Sequence, residues 1–160
     1  MSKRVFLGVL GLCSLAIAGF EVGNGRTLLK NEAGKYSIIV PNRLEIGKFD
    51  RFTEAISPSS EGTPRARLQI NVVKNTGIET IDELVATKPD ANWAQLSLAG
   101  LSGIRKDEVL PTNLHQVEIR LFSKANEMIV INLEGVPQGT VSAAFYRDIE
   151  NSLGTFTVGN

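Results

Sequence analysis

Few side chains in this sequence could do chemistry. It contains one histidine (His115), one cysteine (Cys13) and one tryptophan (Trp93). Gly100-Leu101-Ser102-Gly103-Ile104 nearly spells the G-x-S-x-G elbow that exposes a nucleophilic serine. Ile104 stands where the second glycine belongs, and the strained elbow needs small residues there. A serine hydrolase would also need His115 as base and a carboxylate such as Asp107 to orient it. No local spacing brings Ser102, His115 and Asp107 together. A glycine-bearing loop between strands accounts for the motif, and a strand-edge histidine accounts for His115.

Other chemistries fare no better. Glu79, Asp82 and Glu83 lie close in sequence, but no D-x-D-x-D-G loop frames them for a hard cation. A single histidine and a single cysteine remove most zinc sites. No glycine-rich phosphate loop follows a strand, so no nucleotide or other cofactor is expected. Lysine plus arginine number 17 and aspartate plus glutamate 17, which leaves no basic excess for nucleic acid. Two weaker binding signals remain. Arg43, Lys48, Arg51, Arg65 and Arg67, with Phe49 and Phe52 between them, could gather into a patch for an anionic surface, or could be a solvated rim. Trp93, among Asp90, Asn92 and Gln95, could anchor a partner or a small ligand, or could lid the core. Trp93, His115, Arg43 and Arg51 are the candidate binding residues.

The elements that must position these residues begin after an address. Lys3 and Arg4 precede a charge-free stretch from Val5 to Phe20, and Ala16-Ile17-Ala18 has the small-x-small form of a cleavage site. Residues 1–18 therefore read as a secretory signal cut after Ala18. The charge-free run is shorter than the ~20 residues of a spanning helix, so an uncleaved anchor is the lesser reading. Leu12 before Cys13 departs from a lipoprotein signal. The processed chain loses Lys3 and Arg4 and no acid, giving a net charge of −2, and retains no cysteine. A cysteine-free export product suits a bacterial periplasm or exterior.

Residues 19–25 carry three glycines and read as a flexible leader. Residues 26–30 and 36–40 flank a glycine-bearing turn and predict a hairpin ended by Pro41. Short strands are expected at 44–46 and 52–56. Residues 66–74 alternate, with Leu68, Ile70 and Val72 on one side and Arg67, Gln69 and Asn71 on the other. Thr80-Ile81-Asp82-Glu83 spells a capping box opening a short helix. Residues 91–98 are ambiguous between helix and strand, and 104–110 reads as strand. Residues 115–122 and 127–133 alternate around a short polar turn and predict a second hairpin. Val141, Ala144, Phe145, Ile149 and Leu153 form one helical stripe, with Gly154 as its C′ residue.

The sum is one α+β domain over residues 26–160, with helices packed on an antiparallel sheet. The stretches YSIIVP, RARLQINVVKNTGIETIDELVAT, LHQVEIRLFSKANEMIVINLEG and FYRDIENSLGTFTV resemble, in order and texture, the PsbP-like fold family of photosystem extrinsic subunits and DcrB-type envelope proteins. Asn42-Arg43-Leu44 replaces the Gly-Trp that commonly follows the first proline there, and the family's closing Ser-Phe is spread over residues 152–156. The resemblance implies a three-layer α/β/α sandwich with a mostly antiparallel twisted sheet. It also implies non-enzymatic binding or assembly roles, and supplies no functional residue.

The expected function is an exported, non-catalytic binding or assembly module whose partner is an envelope protein. Neither nucleic acid nor a membrane is expected as partner, except through an uncleaved signal. The alternatives are a small-molecule or carbohydrate binder using the Trp93 loop and, behind it, a hydrolase using Ser102 and His115.

Overall fold

The computed structural model describes residues 19–21, 23–58, 64–74, 76–78, 80–86, 92–124, 126–137 and 143–159. The N-terminal segment read as a signal, with Ala16 and Ala18, and the acidic residue Glu79 lie outside them. The strands in chain order are β1 (Gly19–Glu21), β2 (Arg26–Asn31), β3 (Tyr36–Pro41), β4 (Glu45–Phe49), β5 (Phe52–Ile56), β6 (Arg67–Lys74), β7 (Ala94–Leu98), β8 (Leu101–Val109), β9 (His115–Lys124), β10 (Glu127–Gly135) and β11 (Thr157–Val158). The helices are α1 (Ile81–Ala86), between β6 and β7, and α2 (Ala143–Ser152), after β10. A 3₁₀ turn at Leu153–Thr155 follows α2.

The expected α+β class holds, but the strands divide between two sheets. Seven form a large antiparallel sheet in the order β4-β5-β6-β10-β9-β8-β7, and four form a small one in the order β1-β2-β3-β11. Alternation sets the large sheet's two faces. Leu68, Ile70 and Val72 of β6 meet Leu133, Ile131 and Ile129 of β10, and these meet Val117, Ile119 and Leu121 of β9. All nine are buried in the main core. The small sheet closes over this inner face with Leu29, Tyr36, Ile38 and Val40, beside Tyr146 and Ile149 of α2. Each side chain of this size contributes roughly 1.5–3 kcal/mol on full burial. Helix α1 packs on the opposite, outer face, where Leu84 joins Ile104 and Met128 in a second small cluster. The layers are thus α1, the large sheet, then α2 with the small sheet.

Polar groups tie the two sheets together. Asn31, Tyr36 and Thr53 are each at most 3% exposed. Asn31 Nδ2 donates to Thr53 Oγ1 at 3.1 Å and its Oδ1 accepts from Gly34 N at 2.8 Å. The Tyr36 hydroxyl lies 2.7 Å from Thr53 Oγ1 and 3.2 Å from Ile70 O. Burial pushes the Tyr36 phenol up to about 12, although Thr53 and Asn31 hydrogen bonds act the other way. The Tyr146 phenol is also pushed up to about 12, first by burial and then by the carboxylates of Glu150 and Asp107.

Several local expectations are met and others are corrected. Glu83 N donates to Thr80 Oγ1 and Thr80 N donates to Glu83 Oε2, both at 3.2 Å, which completes the capping box. Gly19–Glu21, read as leader, pairs with β2 as a strand. Residues 94–98 are strand, because Ala99 and Gly100 both take positive φ (53° and 77°) and fold the chain straight back onto β8. Such a two-residue turn matches the twist of paired strands. The buried stripe of α2 is Ala143, Tyr146, Ile149 and Ser152, with Ala144 exposed. Val141 lies outside the described residues. Gly154 takes no positive φ, because the chain runs on into a 3₁₀ turn in which Thr155 Oγ1 donates to Ser152 O.

Tyr36→Phe removes the buried hydroxyl that bonds Thr53 Oγ1 and Ile70 O and should lower the unfolding free energy by about 1–3 kcal/mol, read by denaturant melts. Both phenols have folded values above the unfolded value of about 10. Their contribution is therefore complete below pH 10 and is lost as pH rises toward 12, at about 2–3 kcal/mol for Tyr36, with Tyr146 acting in the same direction. Phenolate absorbance should appear together with unfolding in that window, and titration near 10 in the folded state would contradict the burial. Ala99→Asn gives the turn a residue that tolerates positive φ and should raise stability by ~0.5–1 kcal/mol.

Candidate functional site

The outer face of the large sheet is where the sequence's polar alternation emerges. The pairing registers place its side chains in rows across the strands. Val73, Met128 and Phe122 form one row, and Phe52, Asn71, Val130, Arg120 and Ile104 the next. Ile104 and Met128 are buried in the cluster under α1, with Phe122, Val130 and Trp93 against it. Two wholly different rows follow. Glu54, Gln69, Asn132, Glu118 and Lys106 line up from β5 to β8, and beyond them stand Arg67, Glu134, Gln116 and Glu108.

These polar rows surround a shallow hollow of about 180 Å³, lined by Gln69, Lys106, Glu108, Gln116, Glu118, Asn132 and Glu134 among others. The charges are laced. Arg67 reaches Glu134 at 3.1 Å and Glu54 at 3.4 Å, and Gln69 Nε2 donates to Glu54 at 2.9 Å. Lys106 meets Glu108 at 2.7 Å, and Arg120 Nε donates to Glu118 at 2.7 Å. Four carboxylates thus face Arg67 and Lys106, with Arg120 at the apolar boundary. The rows lean acidic, and carry amides with both donors and acceptors.

Trp93 marks that boundary. It is half-buried against the Leu84–Ile104–Met128 cluster, with the Arg120 guanidinium 5.4 Å from its ring centroid. A cation over an indole face is attracted by the ring quadrupole. The ring thus lids the small core and supports α1, and its covered face is no open platform for a ligand.

His115 is elsewhere. It starts β9 opposite Val109 and Gly135, on the inner-face side, with its ring edge-on to Tyr146 at 6.2 Å. Nearby, Arg105 binds Asp107 through two bonds of 2.6 and 2.7 Å and reaches Glu150 of α2 at 3.4 Å. These Arg105 hydrogen bonds hold the Asp107 carboxyl below the usual range. Ser102 lies exposed on the outer face of β8, opposite Ser97. Seven strand residues separate its pairing level from that of His115, roughly 23 Å at 3.3 Å per residue, and the two side chains leave opposite faces. The hydrolase triad is therefore not assembled. Gly103 serves packing instead, because a Cβ there would lie 2.2 Å from Arg120 O.

The basic patch is also dispersed. Arg43 sits exposed in the turn after β3, and Arg51 lies 3.9 Å from Glu127 at the β4–β5 turn. Arg65 pairs with Glu45, Lys48 donates to Lys30 O, and Arg67 belongs to the polar rows. Phe49 alone stands out, 80% exposed. Among the described residues no group of acidic, histidine and cysteine side chains is placed to hold a metal, and no helix is long and apolar enough to cross a membrane. What the sequence missed was the two-row polar face. Its signal was present in Gln116, Glu118, Asn132 and Glu134, the off-core positions of the second hairpin.

No family model matches the chain, and no curated protein matches it. Solved structures do. One is the solution structure of cyanobacterial PsbP (CyanoP) from Synechocystis sp. PCC 6803, 13% identical, with a TM-score of 0.49, covering 94% of this chain and 99% of that one. Another is a mutant of the protein Mog1, 9% identical, with a TM-score of 0.48, covering 84% of this chain and 96% of that one. Both are similarities of chain course, and no residue's role passes from either to this chain.

Trp93→Ala should cost about 2 kcal/mol, since a half-buried indole loses part of the 3–5 kcal/mol typical of a core aromatic. Gly103→Val drives a side chain into the β9 backbone and should cost about 1–3 kcal/mol or more. Both are read by chemical denaturation. A fluorophosphonate probe should leave Ser102 unlabelled.

Proposed function

We propose that this chain is an exported, non-catalytic module of the bacterial cell envelope that binds another protein through the outer face of its large sheet. One observation carries the reading. Two full rows of amides and laced charges stand beside a closed apolar cluster on the same face, with α1 over the cluster and the described chain leaving the rows uncovered. Carboxylates outnumber cations there, so the complementary surface presents Lys, Arg or amide donors. Such complementarity speeds encounter and fixes register more than it adds raw affinity. Export rests on the Lys3-Arg4 start, the charge-free stretch after it and the Ala16-Ile17-Ala18 site. The DcrB-type branch of the resemblance belongs to this proposal.

A small polyhydroxylated ligand, such as a carbohydrate, is the second reading. The observation favouring it is the amide-lined hollow, whose donors and acceptors suit hydroxyl groups.

The test uses the protein expressed from its full sequence in its native envelope, crosslinked and recovered, with partner and N-terminus both read by mass spectrometry. One stoichiometric protein partner is expected, together with an N-terminus at Gly19. The double variant Gln116→Lys with Asn132→Lys should reduce recovery at least tenfold, whereas Asp148→Lys on the exposed side of α2 should not. A partner indifferent to the sheet-face variant would overturn the site. No partner at all, with Trp93 fluorescence responding to a sugar, would favour the second reading.

A further inference from the structure

Sheet edges are where unpaired backbone groups meet solvent, and folded proteins usually blunt them with charge, proline, bulges or brevity. Three of the four edges here follow that rule. Strand β4 carries Glu45 and Lys48, β1 has three residues, and β11 has two. Strand β7 does not. Its residues are Ala-Gln-Leu-Ser-Leu, and from Asn92 to Ile104 the chain carries no charge and no proline. Among the described residues nothing pairs with its far edge.

The turn determines which groups that edge offers. Leu98 and Leu101 close the two-residue Ala99-Gly100 hairpin, so they are a hydrogen-bonded pair, and so are Leu96–Gly103 and Ala94–Arg105. Gln95 and Ser97 alternate with these. Their N–H and C=O groups therefore point away from β8, out of the sheet. Both residues are exposed, while Leu96 and Leu98 are half-buried against the main core.

We propose that the occupant of this edge is β7 of a second copy of the chain, paired antiparallel about a two-fold axis at Leu96. The strand is complementary to itself in that register. Gln95 of one copy faces Ser97 of the other, and the two outward-pointing residues exchange N–H···O=C bonds twice over. Leu96 faces Leu96, and Ala94 faces Leu98, so the inner-face stripe Ala94-Leu96-Leu98 continues across the axis and covers the open sides of both leucines. On the outer face Gln95 and Ser97 side chains lie opposite one another as polar neighbours. No like charges meet, since the strand has none. Such a pairing is isologous and closes after two copies. It merges two seven-stranded sheets and sets the two polar outer faces side by side, giving a partner two sites instead of one. This inference is independent of what those faces bind.

The test is sedimentation of the protein, expressed from its full sequence, over a wide concentration range. The apparent mass should rise from that of one chain to twice it. Ser97→Pro removes an outward N–H that β8 does not use, a substitution that edge strands tolerate. It should hold the protein at the single-chain mass with little change in melting. Gln95→Lys with Ser97→Lys places two lysine pairs opposite each other in the proposed register while leaving the backbone intact, and should do the same should the proline variant melt early. A wild-type chain that keeps a single-chain mass at every concentration would overturn the proposal. So would a dimer that persists in the lysine variant. Crosslinks from β7 to a different protein, with no self-association, would assign the edge to that protein instead.

Discussion

The structure hangs on a buried hydroxyl. Thr53 sits where the small sheet meets the large one, and its Oγ1 takes hydrogen bonds from Asn31 Nδ2 and the Tyr36 hydroxyl. Both donors come from the β2–β3 hairpin, and Thr53 comes from β5. A buried polar group that lacks its partner costs more than a formed hydrogen bond contributes, so these three residues permit one relative placement of the two sheets and penalise others. The surrounding core is apolar and non-directional and could not by itself impose that placement. Tyr36 extends the effect, because its ring lies against Phe156 at 5.9 Å, just before β11 pairs with β3.

With the small sheet and α2 committed to the inner face, the outer face of the large sheet is divided. Its α1 end is apolar and closed, with Trp93 and Arg120 at the margin. Its other end is polar and laced by Arg67, Lys106 and their carboxylates. Isolated exposed ion pairs of this kind contribute little stability. Their density in two adjacent rows is what the proposed binding role draws on. The Arg105–Asp107–Glu150 cluster on the inner side has a plainer role, joining β8 to α2.

Local features were legible in the residues wherever a short-range rule had no competitor. The Thr80–Glu83 capping box, the 115–135 hairpin and the inward set Leu68, Ile70 and Val72 all depend on neighbours a few positions away. The misreadings share a cause. Gly19–Glu21 looks like a leader because a three-residue strand has no internal signal and exists only through β2. Residues 94–98 look ambiguous because their strand state comes from the Ala99-Gly100 turn, where alanine is an unusual occupant of positive φ. The α2 stripe rotates to Tyr146 because that ring packs by Gly135, where a Cβ would lie 2.7 Å from it. Ser102 and His115, already read from the sequence as a loop serine and a strand-edge histidine, stand on opposite faces, and His115 of β9 pairs with the end of β8 far from Ser102.

By itself, then, the sequence determined the α+β class, the hairpins, the capped helix and the side of each strand that is apolar. These follow from backbone conformational preference and from a side-chain period of two, both local properties of the chain. Only the tertiary structure decided that the strands form two sheets, that a buried Asn31–Thr53–Tyr36 bridge joins them, and that the off-core residues of β5, β6, β8, β9 and β10 assemble one polar face. Those depend on contacts between residues tens of positions apart. Which strands become neighbours is set by the summed packing and hydrogen bonding of the whole chain, and no window of the sequence contains that sum.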